Sequence, residues 1–165
     1  MKLLLPSDIS KSMRRHMLKA HKREIGGMLM GEETGKGEFR LVDFSVDTES
    51  GSKGHFMRDA NLHEKHLQEF FARTGSNYGR YNYLGEWHTH PSFSVQPSLT
   101  DIQSMQGLVE GPHGVGFAVL LISKLKWFRG FECGAWLFIE GHHPTSVEIL
   151  REHSIEMRRE AQKDQ

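Results

Sequence analysis

Apolar positions fall into two rhythms along the chain. Ile9, Met13, Met17 and Leu18 recur at helical spacing behind Pro6 and Ser7, residues suited to a helix start, and predict a helix over 6–22. The short apolar run Ile25-Gly26-Gly27-Met28-Leu29-Met30-Gly31 predicts a buried strand. A turn at 34–37 and a bulged partner strand through Phe39, Leu41, Phe44 and Val46 should follow. Residues 47–53 are small and polar, a loop by composition. Leu62, His66, Phe70 and Phe71 return to helical spacing over 59–74, and 81–90 alternates as a strand does. After a loop at 91–97, Ser98-x-x-Asp101 opens a helix that runs through Ile102, Met105 and Leu108. Strands are expected at 116–123, 126–139 and 145–150, then a charged helical tail to residue 165. The alternation of helices and strands predicts a mixed α/β fold, a mixed sheet with helices packed on it, in a single domain over 1–165.

Composition narrows the function classes. With 37% hydrophobic and 25% charged residues in a chain of 165, a soluble globular domain is expected, with no membrane association. Met1-Lys2-Leu3-Leu4-Leu5 starts like a secretory leader but is cut short by Pro6, Ser7 and Asp8. Lys+Arg and Asp+Glu each total 21, so no basic excess speaks for nucleic acid, although a local basic patch stays open. The one cysteine, Cys133, rules out an internal disulfide and suits a reducing, cytoplasmic setting. The unusual count is 11 histidines, and histidine is the commonest metal-ligating side chain.

The chemistry concentrates in Gly85-Glu86-Trp87-His88-Thr89-His90-Pro91, followed by Ser98 and Asp101. On a strand, His88 and His90 project from one face and Trp87 and Thr89 from the other, so the two imidazoles can converge on one ion. Pro91 ends the strand where the chain must turn away. Asp101, in the first turn of the next helix and capped by Ser98, would add a carboxylate. Two histidines and an aspartate leave the fourth position of a tetrahedral Zn2+ ion open, the arrangement of a catalytic site. Bound zinc lowers the pKa of water and polarises a carbonyl, which points to metal-assisted hydrolysis of an acyl bond. A chance His-x-His with Ser-x-x-Asp at this spacing arises on the order of once in several hundred such chains.

His88-x-His90-Pro91 with Ser98-x-x-Asp101 resembles the JAMM motif of MPN-domain metallopeptidases. Glu24, ahead of the glycine-bearing strand 25–31, matches the upstream glutamate of that motif, and nothing in the ligand pattern departs from the family. The resemblance covers about residues 1–150. It implies a curved mixed sheet flanked by helices, a deaminase-like fold, and hydrolysis of peptide or isopeptide bonds. It further implies that Glu24 takes a proton from water and delivers it to the leaving amine, and that Ser98 helps stabilise the oxyanion. Compact size and the Gly-Glu-Trp-His-Thr-His-Pro wording look most like small bacterial JAMM proteases of anti-phage operons such as CBASS. The substrate so implied is a ubiquitin-like modifier or a protein conjugated to it.

Other readings stay open on the residues. Glu86 shares the histidines' face and rivals Glu24 as base. A zinc-binding scaffold without turnover, or a cupin-like iron oxygenase, would use the same three ligands. His63 and His66 could form half of a second metal site with Cys133 or His153, though a solvated helix face is expected. His142 and His143 read as turn residues, and Cys133 as a structural thiol. The segment 47–59 could help hold a modifier tail as an added strand or be an ordinary surface loop.

Overall fold

The computed structural model describes residues 1–47, 60–111, 114–126 and 130–152. Eight strands and three helices are formed among them: β1 (Lys2–Leu5), α1 (Ser7–Ala20), β2 (Gly26–Gly35), β3 (Glu38–Phe44), α2 (Ala60–Arg73), β4 (Tyr81–Thr89), α3 (Leu99–Glu110), β5 (Phe117–Leu125), β6 (Phe131–Ile139), β7 (Thr145–Ser146) and β8 (Glu148–Arg151). All eight strands join one sheet in the order β7-β6-β5-β4-β2-β3-β1-β8. The sheet is mixed: β1 runs parallel to β3 and β8, and β4 to β5, while the other neighbours are antiparallel.

The two edge strands constrain its shape. β7 ends at Ser146 and β8 begins at Glu148, yet they lie at opposite ends of the strand order. A single residue, Val147, spans them, so the sheet must curl almost into a barrel. Val147 donates its N–H to Ala135 O at 2.9 Å, and Arg151 of β8 donates to Phe131 O of β6, also at 2.9 Å. A cupin-like barrel, built from antiparallel strands, does not fit these parallel pairs.

Helices cover both faces of the central strands, so β5 is apolar on each side, as a parallel-paired strand must be. Val119 and Leu121 turn towards α1 and pack with Met13, Met17, Leu29 and Trp87. Ala118, Leu120 and Ile122 turn towards α3 and pack with Met105, Val109 and Phe138. Trp87 is fully buried, and its indole N–H donates to Ser45 O at 2.9 Å, which satisfies the one polar atom the ring carries inside.

The elements expected from sequence are present with shifted limits. β2 runs on to Gly35, into the expected turn, because Gly35 pairs with Glu38 of β3, and the expected bulge appears as register shifts between these strands. The expected strand at 145–150 is split into β7 and β8 by Val147, which is buried. Residues 1–5 carry no helical or turn signal and read in sequence only as the start of an interrupted leader. They form β1, with Leu3 and Leu5 in the core. The 47–59 segment, apart from Asp47, and the tail from 153 lie outside the described residues.

Candidate metal centre

β4 supplies two of the converging groups. Its register pairs His88 with Gly26 of β2 on one side and Ile122 of β5 on the other, so its backbone is held from both directions. A Cβ on Gly26 would lie 2.3 Å from Trp87 O and 2.9 Å from His88 Cβ, so only glycine lets β2 approach the ligand strand this closely. Upstream, Gly85 adopts φ +148° where β4 shifts register against β2, a bulge that precedes the ligand-bearing half of the strand. His90 lies one residue past β4 and is tied to β5 by its N–H to Ser123 O at 2.9 Å.

Both imidazoles are buried, and their Nε2 atoms stand 3.0 Å apart. His90 donates its Nδ1 proton to Ser94 O at 2.8 Å, which leaves Nε2 as the atom with a lone pair. The third group comes from α3. Ser98 caps this helix in a reciprocal box: its Oγ accepts the Asp101 N–H at 3.2 Å while Asp101 Oδ2 accepts from Ser98 N and from Ser98 Oγ, each at 2.7 Å. That box holds the carboxylate with Oδ1 3.4 Å from His88 Nε2 and Oδ2 3.6 Å from His90 Nε2.

Electrostatics follows the geometry. Burial alone pushes Asp101 up, but hydrogen bonds from His88, His90 and Ser98 outweigh it and hold the carboxyl well below the ordinary range. The hydrogen bond to Asp101 in turn raises His90 against the opposing effect of burial, with the Ser94 carbonyl and the charge of Glu24 adding to the rise.

The donor set fits zinc. Ligand atoms about 2.0–2.1 Å from a tetrahedral ion stand about 3.3 Å from one another; His88 Nε2 stands 3.0 Å from His90 Nε2 and 3.4 Å from Asp101 Oδ1, and the 3.6 Å approach of His90 Nε2 is to the other carboxylate oxygen, Oδ2. All three residues can place a donor atom within 4.8 Å of both others, the grouping among the described residues that can hold a metal.

These groups sit in a cleft of about 740 Å³ whose wall includes Glu24, Glu86, Phe93, Ser98, Met105 and Leu120. Glu24 is buried there rather than exposed at a strand edge. Next along the chain, the Ile25 N–H donates to Thr89 Oγ1 at 3.0 Å and the Ile25 carbonyl accepts the Thr89 N–H at 2.9 Å. Glu86 lines the same cleft, half-buried. All the residues expected to carry chemistry are thus brought together. Two contributors were not foreseen. Thr89 faces away from the ligands, and the Ser94 contact is made by a backbone carbonyl, which no side-chain pattern announces.

The remaining histidines divide. His63 is not on a solvated helix face: it is fully buried, with Nδ1 2.6 Å from Ser45 Oγ. Its neighbour His66 stands 3.2 Å from Asp43 Oδ2, which also accepts from Arg73, so these contacts fasten α2 to β3. His142 donates to Glu140 O at 2.8 Å, as a turn residue would, and His143 is exposed. Cys133 is partly buried, burial pushes its thiol up, and Arg151 donates to its sulfur at 3.4 Å. His153 lies outside the described residues.

Comparison with known proteins gives a consistent picture. Residues 6–129 match the family model described as prokaryotic homologs of the JAB domain. A stretch of 86 residues is 36% identical to a CD-NTase/cGAS isopeptidase of Vibrio cholerae, covering 49% of this chain and 51% of that protein. The match therefore spans about half the length of this curated relative. Among solved structures, one from Desulfitobacterium hafniense superposes with a TM-score of 0.66 at 22% identity, over 91% of this chain and 92% of the other. One from Salinibacter ruber gives 0.57 at 20% identity, over 92% and 91%. At these identities the two structures speak for the fold.

Proposed function

The chain belongs to the family of prokaryotic homologs of the JAB domain, and from that membership and the cleft we propose that it is a zinc-dependent isopeptidase. Its substrate in this reading is a protein joined by an amide bond to the C-terminal tail of a ubiquitin-like modifier. The likeness to a CD-NTase/cGAS isopeptidase supports a CD-NTase or cGAS-like protein as the conjugated partner, and the setting we propose for it is a cytoplasmic anti-phage system. The observation that carries the reading is the convergence of two buried imidazole Nε2 atoms and the Asp101 carboxylate in a cleft that also contains a buried glutamate.

His88, His90 and Asp101 would hold the ion. When bound, zinc supplies Lewis-acid activation of water and of the scissile carbonyl. Glu24 accepts the proton of the attacking water and passes it to the leaving amine, the general acid–base role for a carboxylate placed beside the reacting atoms. The Ser94 carbonyl keeps His90 in the tautomer whose Nε2 faces the cleft. Ser98 starts with its hydroxyl on Asp101 Oδ2. As charge develops on the substrate oxygen, the hydroxyl turns to donate there, while the Ser98 N–H keeps hold of Oδ2. Phe93 and Met105 line the cleft and supply apolar wall against which an extended tail can exclude water.

The test is cleavage of a modifier–target conjugate by the purified chain, with products identified by mass spectrometry. Scission at the joining amide, abolished by a chelator and restored by zinc, is expected. Cleavage that survives complete metal removal would overturn the reading.

A further inference from the structure

One carboxylate in the cleft is left unused by this mechanism. Glu86 precedes His88 by two residues on β4, half-buried, and lines the same cleft. In register it stands between Met28 of β2 and Leu120 of β5, and Leu120 also lines the cleft. Residues paired across strands project to one face, so Glu86 and Leu120 present their side chains to the cleft side by side. The ionisable groups lining the cleft among the described residues are Glu24, Glu86, Asp101, His88 and His90, with no lysine or arginine. Two residues of strand cover about 6.7 Å, and an extended substrate chain covers the same distance in two residues.

We propose that Glu86 and Leu120 form a subsite for a basic side chain, lysine or arginine, carried by the substrate within two residues of the scissile amide. The inference rests on the hydrolase reading and deepens it by naming what the cleft selects. An amphipathic cation suits these neighbours: its methylene stem packs on Leu120 while its charged head meets Glu86. An acidic side chain seated beside Glu86 is repelled by that carboxylate, so the preference is read locally, at the Glu86 position. Glu86 is then a specificity-determining residue, whereas Glu24 remains the base.

The experiment uses fluorescein-labelled octapeptides of glycine and alanine carrying lysine, alanine or glutamate at one of the four central positions. Binding is read by anisotropy on zinc-loaded protein with Glu24→Gln, so that peptides are held and not cut, alone and combined with Glu86→Gln or Glu86→Lys. At one position lysine is expected to bind about fivefold tighter than alanine, the size of a partly screened ion pair. Glu86→Gln, which keeps the side chain's shape, should erase that preference, and Glu86→Lys should transfer it to the glutamate peptide. Lysine preference that persists in Glu86→Gln, or no preference at any position, overturns the proposal. Turnover by wild type of a modifier–target fusion carrying lysine, alanine or glutamate at that position separates the two claims. Selective binding without cleavage would sink the hydrolase reading and keep the subsite; cleavage indifferent to charge would do the reverse.

Discussion

Thr89 grips Ile25 twice: its N–H donates to the Ile25 carbonyl at 2.9 Å, and its hydroxyl accepts the Ile25 N–H at 3.0 Å. Both residues are buried. Because Glu24 is bonded to Ile25 and Thr89 lies between His88 and His90, the candidate base and two candidate ligands belong to one stiff piece of backbone. Thr89→Val removes the hydroxyl acceptor and leaves a buried N–H unsatisfied, a cost of about 1–3 kcal/mol. Turnover is expected to fall at least tenfold with zinc content unchanged, and Thr89→Ser should restore most of it. Equal kcat for Thr89→Val and wild type would dismiss Thr89 as a positioning residue.

Ser98 contributes twice to Asp101, through its N–H and through its hydroxyl. Ser98→Ala keeps the N–H bond, so zinc should still bind, while losing the cap costs about 1 kcal/mol of stability. If the hydroxyl also serves the developing oxyanion, kcat should fall by about 10²–10³ with little change in KM. A fall no larger than the stability loss explains would restrict Ser98 to holding the helix and the ligand.

Zinc must displace a proton from any histidine that carries one, and His90 is raised above its ordinary 6.5 by Asp101. Zinc affinity is therefore full above that raised value and declines as pH falls through it, by up to about tenfold per unit for each proton displaced. Asp101 is held well below the carboxylate range and stays ionised throughout, so the slope is assigned to His90. In the metal-free chain, the same rise contributes stability that is present below the unfolded value and lost as pH climbs through the folded one. Competition with a chromogenic chelator from about pH 8 to about pH 5.5 reads the affinity; a flat profile would contradict this assignment.

Gly26 leaves no room for a side chain beside Trp87 O and His88 Cβ. Gly26→Ala should destabilise the fold by about 3 kcal/mol, since the obstacle is backbone on a central strand. The urea midpoint measures this, and a midpoint within error of wild type would show that β2 moves aside without cost.

The site was legible where chemistry and local structure share a signal. The alternation of His88 and His90, the stop at Pro91 and the Ser98–Asp101 cap are all written within a dozen residues, and each describes its own geometry. A family resemblance supplied Glu24 as a candidate base, where local pattern alone would leave it at a strand edge. What was not legible depends on pairing between distant segments. β1 is only four residues long and is made a strand by β3 and β8. His63 shares its helix with exposed residues and is buried because Ser45 lies against it. Thr89 matters through its register with Ile25, 64 positions away. A curl closed by the single residue Val147 follows from strand order, which no periodicity encodes.

Zinc content measured alongside turnover, in wild type, Glu24→Ala and His88→Ala, bears most directly on the catalytic assignment. Wild type should hold one zinc ion and cut a modifier–target fusion. Glu24→Ala should keep the ion and lose about 10²–10⁴ in rate, and His88→Ala should lose both. Wild-type turnover in Glu24→Ala would hand the role of base to another group, Glu86 first. A wild-type protein that binds no zinc, or binds it and cuts nothing, would contradict the account at its centre.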